Sequence, residues 1–165
     1  HTVQLRAASM QLNLGGLAKG YILDQALATL SENGVARALI EAGGDVVMSG
    51  PPPASDGWRI HIPGAGPDST ARTVHLAHAA VSTSGGTQQF VAIDGTRYSH
   101  VIDPRTGLGL THRLLVTIIA DDGMTADGLA TTVGILGADA GRAFLATHDP
   151  DATAYIRRAD AGDAE

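Results

Sequence analysis

The pattern of apolar and polar residues predicts three helices separated by several strands. Apolar residues recur at helical spacing from Gly20 to Asn33, and Gly34 follows as a stop signal. Two further helices are predicted from Ala126 to Leu136, closed by Gly137, and from Asp139 to Thr147. One strand run is predicted in each of "WRIHIP", "RTVHLAHAAVSTSGG", "RLLVTIIA" and "ATAYIRR".

Two hairpin patterns complete the prediction of the fold. "QFVAIDGTRYSHVID" places β-type runs on both sides of Asp94-Gly95, and "VARALIEAGGDVVMSG" contains two short apolar runs split by Gly43-Gly44. Strands outnumber helices and mostly follow one another directly, which indicates an α+β fold with a largely antiparallel sheet packed with about three helices. We expect one domain over residues 1–165, with a frayed tail from about residue 159.

Composition and charge exclude several classes of function. The net charge is −6 and no basic run is present, so a nucleic-acid partner is not expected. The chain contains no cysteine, which excludes disulfides, thiolate catalysis and Cys-based zinc sites. The opening "HTVQLRAASMQLNL" alternates like a strand already in progress. We therefore expect this chain to be a piece of a longer protein, without that protein's N-terminal region.

Asp127 and Thr131 form the first candidate site. They lie at i and i+4 on one face of a predicted helix, where a carboxylate and a hydroxyl can offer two hard oxygens to Mg²⁺ or Ca²⁺. Asp127 could instead lie in the first turn of the helix or cap it, where the helix dipole favours a carboxylate. The spacing alone favours this second interpretation.

The glycine-rich turn "LNLGGLAKGYILD" is the second candidate. Gly15, Gly16 and Gly20 surround Lys19, the only Lys among eleven basic residues, between a predicted strand and a helix. Such a turn can bring backbone N–H groups and a cation to a phosphate, although it lacks the Gly-Lys-Ser/Thr order of a Walker A loop. An ordinary strand-to-helix turn is the alternative.

Two further segments are ambiguous by themselves. Gly43 and Gly44 in "EAGGDVVMSG" permit close approach of a ligand, but a bulge or turn explains them equally well. In "TRYSHVIDPRTG", strand alternation would place His100 on the same side as Tyr98. His suits proton transfer near neutral pH, yet a lone His on a strand is more often structural. Taken separately, these segments support only an α+β domain.

Taken in order, the motifs resemble those of the ApbE family, the FAD:protein FMN transferases once called thiamine biosynthesis lipoproteins. "LNLGGLAKGYILD", "EAGGDVVMSG", "STSGG", "RYSHVIDPRTG" and "TADGLATT" occur in the order and approximate spacing of that family. The resemblance implies a T-fold-related domain. It also implies a Mg²⁺-dependent enzyme that cleaves the pyrophosphate of FAD, attaches FMN by a phosphoester to a Thr or Ser of an acceptor flavoprotein, and releases AMP.

The resemblance also implies roles for individual residues. His100 would help to deprotonate the acceptor hydroxyl, and Lys19 would lie beside the pyrophosphate. The metal would bind Asp127, Thr131 and the backbone carbonyl of Gly16, and the FAD would contact Asn13, Lys19, Gly43, Gly44, His100 and Val101.

Three departures from the family pattern bear on these expectations. Many relatives have Asp where this chain has Asn13, and an aromatic residue often stands where Gly86-Thr87 follow "TSG". The third is the missing N-terminal region, whose absence we expect to leave an open apolar groove or patch near Gly16, Gly44 and His100.

Two other functions remain open from the sequence. The same residues could form a metal-dependent FAD pyrophosphatase, in which water replaces the acceptor hydroxyl, or a non-catalytic flavin-binding fragment. The resemblance places the full-length bacterial protein outside the cytoplasm, periplasmic or membrane-anchored, with a cytoplasmic location as the alternative. Oligomeric state is not predicted.

Overall fold

An antiparallel sheet with helices on one face forms the centre of the molecule. The computed structural model describes residues 2–64, 71–85 and 89–158. Within them, five strands form the main sheet in the order β1-β2-β5-β10-β11, with every neighbouring pair antiparallel. These strands are β1 (Leu39–Ala42), β2 (Asp45–Met48), β5 (Ala79–Gly85), β10 (Leu114–Ala120) and β11 (Thr153–Arg158).

Three small hairpins connect to this sheet. Each is a two-stranded antiparallel pair: β3 with β4, β6 with β7, and β8 with β9. Their strands are β3 (Trp58–Ile62), β4 (Arg72–Leu76), β6 (Phe90–Ile93), β7 (Thr96–Ser99), β8 (Ile102–Asp103) and β9 (Leu108–Gly109).

Three helices occur in the described part of the chain: α1 (Ala18–Glu32), α2 (Gly123–Leu136) and α3 (Ala138–His148). Helix α2 packs against the sheet, and its small or β-branched residues Ala126, Ala130 and Val133 are fully buried. Helix α1 contributes Leu23 to the same core. The sheet supplies the other half of the core, with Val47, Ala80, Val116, Ile118 and Ala120. Few side chains are large, so close approach of the backbones provides much of the packing.

The α+β fold with a largely antiparallel sheet and three helices is confirmed, but several boundaries differ from the prediction. The strand expected before the Gly15-Gly16 turn is absent, because residues 2–14 form no strand. The first helix begins at Ala18, two residues before its predicted start, and α2 begins at Gly123, three residues before its predicted start. The run "RTVHLAHAAVSTSGG" forms two strands, because His78 adopts φ 51° and breaks the chain direction between β4 and β5. A positive φ at a non-glycine residue is uncommon, so the alternating pattern gave no sign of this break.

Both predicted hairpin turns are present. Asp94 and Gly95 have φ 49° and 76°, and Gly43 and Gly44 have φ 59° and 87°. Two successive positive φ values between paired strands are those of a two-residue type I′ turn, which glycine and Asp tolerate. The turn therefore suffices to explain Gly43-Gly44, in agreement with the turn alternative.

Some predictions lie outside the described residues. These are the frayed tail from about residue 159 and the departure at Gly86-Thr87. No helix within residues 2–64, 71–85 and 89–158 is long and apolar enough to cross a membrane.

Candidate active site

The N-terminal ends of α1 and α2 meet at two glycines. A Cβ placed on Gly20 would lie 2.0 Å from the carbonyl oxygen of Gly123, and one placed on Gly123 would lie 2.7 Å from the oxygen of Gly20. Only a pair without side chains permits this contact. Two helix N-termini, each with a partial positive charge, are thereby brought to one place.

Each helix supplies a carboxylate to the other's first turn. Asp24 of α1 accepts hydrogen bonds from the backbone N–H groups of Gly123 at 2.7 Å and Met124 at 2.9 Å. Asp127 of α2 accepts one from the N–H of Gly20 at 3.3 Å. The two carboxylates satisfy backbone donors that a helix leaves open at its start.

Asp127 is not in the first turn of its own helix. Asp122 caps α2 by accepting from the N–H of Thr125 at 2.8 Å, and Asp127 follows in the second turn. Its side chain is buried, with the residue only 3% exposed. The interpretation of Asp127 as a cap or first-turn residue of its own helix is therefore wrong, since its partners belong to α1.

Lys19 joins Asp127 to a second buried carboxylate. Its ammonium lies 2.5 Å from Asp45 Oδ2 and 3.2 Å from Asp127 Oδ1. The other oxygen of Asp45 accepts from Ser82 Oγ at 2.7 Å, and Asp45 is only 2% exposed. The Lys19 side chain itself is 46% exposed, so the ammonium reaches from the surface into a buried acidic site.

Lys19 is charged in this environment. Partial burial lowers the pKa of Lys19, but the hydrogen bonds and charges of Asp45 and Asp127 outweigh that effect and raise the pKa above its usual value. The contribution of this ion pair to stability is therefore present at neutral pH and is lost only as the pH rises through the raised pKa. Lys19 acts as a cation here, and a role as a neutral base is excluded at neutral pH.

Gly16 lies against Thr131. A Cβ on Gly16 would be 2.9 Å from Thr131 Cγ2 and 3.1 Å from its Oγ1. The preceding turn is fixed by Asn13, whose Oδ1 accepts from the N–H of Gly15 at 2.8 Å. The loop that carries the Gly16 carbonyl is thus held beside the face of α2 on which Thr131 lies, four residues after Asp127.

This donor set suits a hard cation. It comprises a carboxylate, a hydroxyl and a backbone carbonyl, all of them oxygen donors of the kind that Mg²⁺ prefers. The hydrogen bonds to Asp127, at 3.2 and 3.3 Å, are long and leave its oxygens able to accept further partners. Among the described residues, no three His, Asp or Glu side chains are grouped in a way that could hold a metal. A cation at Asp127 would therefore take part of its coordination from other ligands.

Gly43 borders the same cluster. A Cβ on Gly43 would lie 3.7 Å from Lys19 Cδ, an ordinary van der Waals distance. Gly44 donates its N–H to Glu41 Oε1 at 3.2 Å within the turn. The Gly43-Gly44 turn is exposed and lies at the Lys19 side chain, so one wall of the cluster is free of side-chain bulk.

His100 lies in a bend, outside a strand. β7 ends at Ser99 and β8 begins at Ile102, so the predicted alternation of Tyr98, His100 and Ile102 is interrupted by a bend. The exposed imidazole lies with Nδ1 3.3 Å from the carbonyl oxygen of Gln89. A carbonyl only accepts, so this contact requires a proton on Nδ1 and leaves Nε2 as the acceptor of a neutral ring.

Val101 places this bend relative to α2. Together with Ser99, His112 and Gly134, Val101 lines a small cavity of about 10 Å³. Gly134 follows Asp127 by seven residues on α2, which corresponds to roughly 10 Å along a helix axis. The His100 bend therefore lies toward the C-terminal end of α2. Lys19 and Asp127 lie toward its N-terminal end, and Gly16 lies between the two, against Thr131.

The remaining polar residues of "DPRTG" hold the turn together. Asp103 receives the Arg105 guanidinium at 2.9 and 2.7 Å and the Arg105 backbone N–H at 2.9 Å. Arg105 Nη2 and His112 Nε2 lie 3.5 and 2.7 Å from the carbonyl oxygens of Ile135 and Gly134. These contacts satisfy carbonyls in the last turn of α2 and fix the turn, so Asp103 and Arg105 have structural partners.

The Arg105 contacts also control the charge of Asp103. The side-chain hydrogen bonds from Arg105, followed by its backbone N–H, lower the pKa of Asp103 from 3.8 to about 2. Asp103 is therefore ionised throughout the range in which the protein is expected to work.

Sequence reasoning found most of this cluster but missed three of its residues. Asp24, Asp45 and Ser82 hold the others in place, and none was assigned a role. A signal was present for Asp45, which is a carboxylate at the start of the apolar run "DVVM" beside a glycine turn. Asp24 closes the motif "LNLGGLAKGYILD" and Ser82 opens "STSGG", but neither motif indicates the partner, which is far away in the sequence.

Comparison with known proteins gives a consistent result. The ApbE family profile matches residues 1–156. The FAD:protein FMN transferase of Vibrio cholerae is 32% identical over 146 residues, which cover 87% of this chain and 44% of that protein. The FAD:protein FMN transferase of Treponema pallidum is 35% identical over 157 residues, covering 88% of this chain and 43% of that protein.

Solved structures agree with the sequence comparison. The apo form of the Pseudomonas stutzeri flavinyl transferase ApbE superimposes with a TM-score of 0.76 at 33% identity, covering 91% of this chain and 46% of that one. The Thermotoga maritima ApbE protein superimposes with the same TM-score, and the match covers 52% of the Thermotoga maritima chain. The chain thus belongs to the ApbE family. It spans less than half the length of the two curated relatives compared above.

Proposed function

We propose that the protein containing this chain is a Mg²⁺-dependent FAD:protein FMN transferase. It would transfer the FMN part of FAD to a Thr or Ser hydroxyl of an acceptor flavoprotein and release AMP. Membership of the ApbE family, with relatives named for this activity, supports the reaction class. The observation that carries the proposal is the cluster of Lys19, Asp127, Thr131 and Gly16 at two facing helix N-termini.

The cluster has the groups that transfer of a phosphoryl group requires. Such reactions depend on neutralising charge on the phosphate oxygens rather than on covalent help from the protein. The Lys19 ammonium is charged and its side chain borders the open Gly43-Gly44 turn, where it would face phosphate oxygens. Asp127, Thr131 and the Gly16 carbonyl would hold Mg²⁺, which when bound would neutralise developing negative charge on the pyrophosphate.

His100 is proposed as the base for the acceptor hydroxyl. Its neutral Nε2 would take the hydroxyl proton as the oxygen bonds to the FMN phosphorus and the bond from that phosphorus to the AMP oxygen breaks. The exposed position of His100 suits contact with a protein substrate. With the bend near one end of α2 and Asp127 near the other, FAD would lie along α2, contacting Val101, Gly43, Gly44 and Asn13.

A metal-dependent FAD pyrophosphatase remains the second candidate, because the same groups could direct water at the phosphorus. Chromatography of FAD, FMN and AMP after incubation of the complete protein with FAD and Mg²⁺ separates the two. A transferase releases AMP in proportion to the acceptor added and yields little free FMN. Equal amounts of free FMN and AMP, unaffected by the acceptor, would instead establish hydrolysis.

The extracytoplasmic location expected from the resemblance stays a prediction.

A further inference from the structure

Lys19, Asp45 and Asp127 form a charge cluster that is unequally paired. Two carboxylates, 2% and 3% exposed, share one ammonium. The ammonium lies closer to Asp45, at 2.5 Å, than to Asp127, at 3.2 Å. Two carboxylates and one ammonium leave one negative charge in excess, and most of it belongs to Asp127, the more distant partner. A buried charge is costly unless it is paired, so Asp127 favours a further cationic partner.

Asp45 is held in a way that keeps the ammonium near it. Its Oδ1 accepts from Ser82 on β5 and its Oδ2 from Lys19, so both oxygens are engaged in short hydrogen bonds. Asp127 has longer bonds to Lys19 and to the Gly20 N–H. Asp45 is therefore the firm anchor of Lys19, and Asp127 is the looser partner.

We propose that Lys19 is a tethered counter-ion that competes with the divalent cation for Asp127, and that Asp45 and Ser82 are positioning residues that hold the ammonium when the cation takes its place. The inference rests on the proposed metal-dependent function. In the absence of the cation, the ammonium partly neutralises Asp127. When the cation binds, the ammonium gives up the 3.2 Å contact and keeps the one to Asp45. Lys19 thus stays in the site as a positive charge beside the bound cation, held by Asp45.

The first arm of the test measures Mn²⁺ binding, by electron paramagnetic resonance of free Mn²⁺, on the complete protein and its Lys19→Met variant. Met keeps an unbranched stem and removes the charge. Without the competing ammonium, we expect Mn²⁺ to bind about five- to tenfold more tightly, the lower end of the usual coupling between two sites. Glu32→Gln is the control, because this exposed residue lies about 20 Å from Lys19 along α1 and should leave Mn²⁺ affinity unchanged.

The second arm asks whether Asp45 acts through Lys19. Asp45→Asn removes the anchor, so the ammonium pairs more fully with Asp127 and Mn²⁺ binding weakens by about fivefold or more. In the Lys19→Met background, the same change should have less than half that effect. This non-additivity is what a double-mutant cycle detects. An Asp45 that binds the cation itself would keep its full effect in both backgrounds, which would overturn the positioning role.

Two outcomes separate this inference from the proposed function. If Mn²⁺ binds the wild type, and Asp127→Asn abolishes binding, but Lys19→Met leaves affinity unchanged, then Lys19 is no competitor while the metal-dependent function stands. If the wild type binds no Mn²⁺ that depends on Asp127, both are contradicted. Unfolding midpoints measured without metal, compared among all variants, exclude loss of the fold as the cause of a change.

Discussion

Asp127 takes its role from residues that are distant in the sequence. It lies 108 positions from Lys19 and 107 from Gly20, yet all of its observed polar partners come from that segment. The i, i+4 spacing to Thr131 was visible in the sequence, but the burial and the cross-helix contacts were not. A pattern within one helix indicates which residues share a face, and only the packing of that helix shows what the face meets.

Asp103 gives a test of the turn at the level of one residue. The pKa of Asp103 is about 2 in the folded protein, below its ordinary value of 3.8. The Asp103–Arg105 contact therefore stabilises the fold at pH values above 3.8, and this contribution is lost as the pH falls toward 2. Carbon-13 NMR of the Asp103 carboxyl group should show a titration midpoint near the lower value. Arg105→Gln should move the midpoint up toward 3.8. A wild-type midpoint that is already near 3.8 would contradict the pairing.

His100→Ala tests the proposed base. We expect a fall of about a hundred- to ten-thousand-fold in the rate of FMN transfer, because proton transfer contributes in the transition state. FAD affinity should change little, since the contribution is not made in the ground state. The control is His75→Ala, which removes an exposed strand histidine remote in sequence from the site. Near-normal transfer by His100→Ala would leave His100 with only its contact to Gln89.

How far single residues could be predicted depended on the range of their contacts. Asn13, Gly16, Lys19 and Thr131 were identified from short motifs, and the structure places them in one region with Asp127. His100 was assigned to a strand because the alternation around Asp94-Gly95 extended through it. The bend after Ser99 depends on pairing with Leu110, whose carbonyl accepts from the Ser99 N–H at 2.9 Å. Nothing local to the motif records that contact.

At the scale of elements, the meeting of α1 and α2 controls the site. Reciprocal capping by Asp24 and Asp127 and the contact of Gly20 with Gly123 fix the two N-termini against each other. Sequence periodicity located both helices but could not predict that they touch through their first turns. Gly20 was interpreted as part of a turn that could approach a phosphate, and Gly123 was given no role, whereas the structure requires both for close backbone approach.

Gly20→Ala should therefore separate the helices. The added methyl group would lie 2.0 Å from the Gly123 oxygen, a clash that cannot be relieved without moving the backbone. We expect the free energy of unfolding to fall by about 1–3 kcal/mol, as for other overpacked sites, and the cation affinity of Asp127 to fall with it. Urea denaturation followed by circular dichroism measures the first effect.

Gly128→Ala is the matched control for this change. Gly128 also lies in a helix, but a Cβ there meets no atom within 4 Å. Because alanine is the better helix former, this variant should be as stable as the wild type or more stable, by up to about 1 kcal/mol. Equal loss of stability in both variants would mean that the Gly20–Gly123 contact has no special role.

At the scale of the whole molecule, several large apolar side chains close in sequence to the site residues are exposed. Leu14 and Leu17 flank Gly16 in sequence, and Phe90, Val91 and Ile102 belong to the hairpins on either side of His100, with exposures between 38% and 58%. The open apolar groove or patch expected near Gly16, Gly44 and His100 stays a prediction, which these exposed side chains support. The antiparallel α+β fold itself was predictable, because strand and helix patterns depend on local periodicity.

The most direct test of the account is the intact mass of an acceptor flavoprotein after incubation with FAD, Mg²⁺ and the complete protein. We expect a covalent addition equal to one FMN less one water, located on one Thr or Ser of the acceptor. The addition should be lost when that residue is replaced by Val, when Mg²⁺ is chelated, or when Asp127 is changed to Ala. An acceptor whose mass stays unchanged while FAD is consumed would contradict the transferase, and full addition by Asp127→Ala would contradict the site.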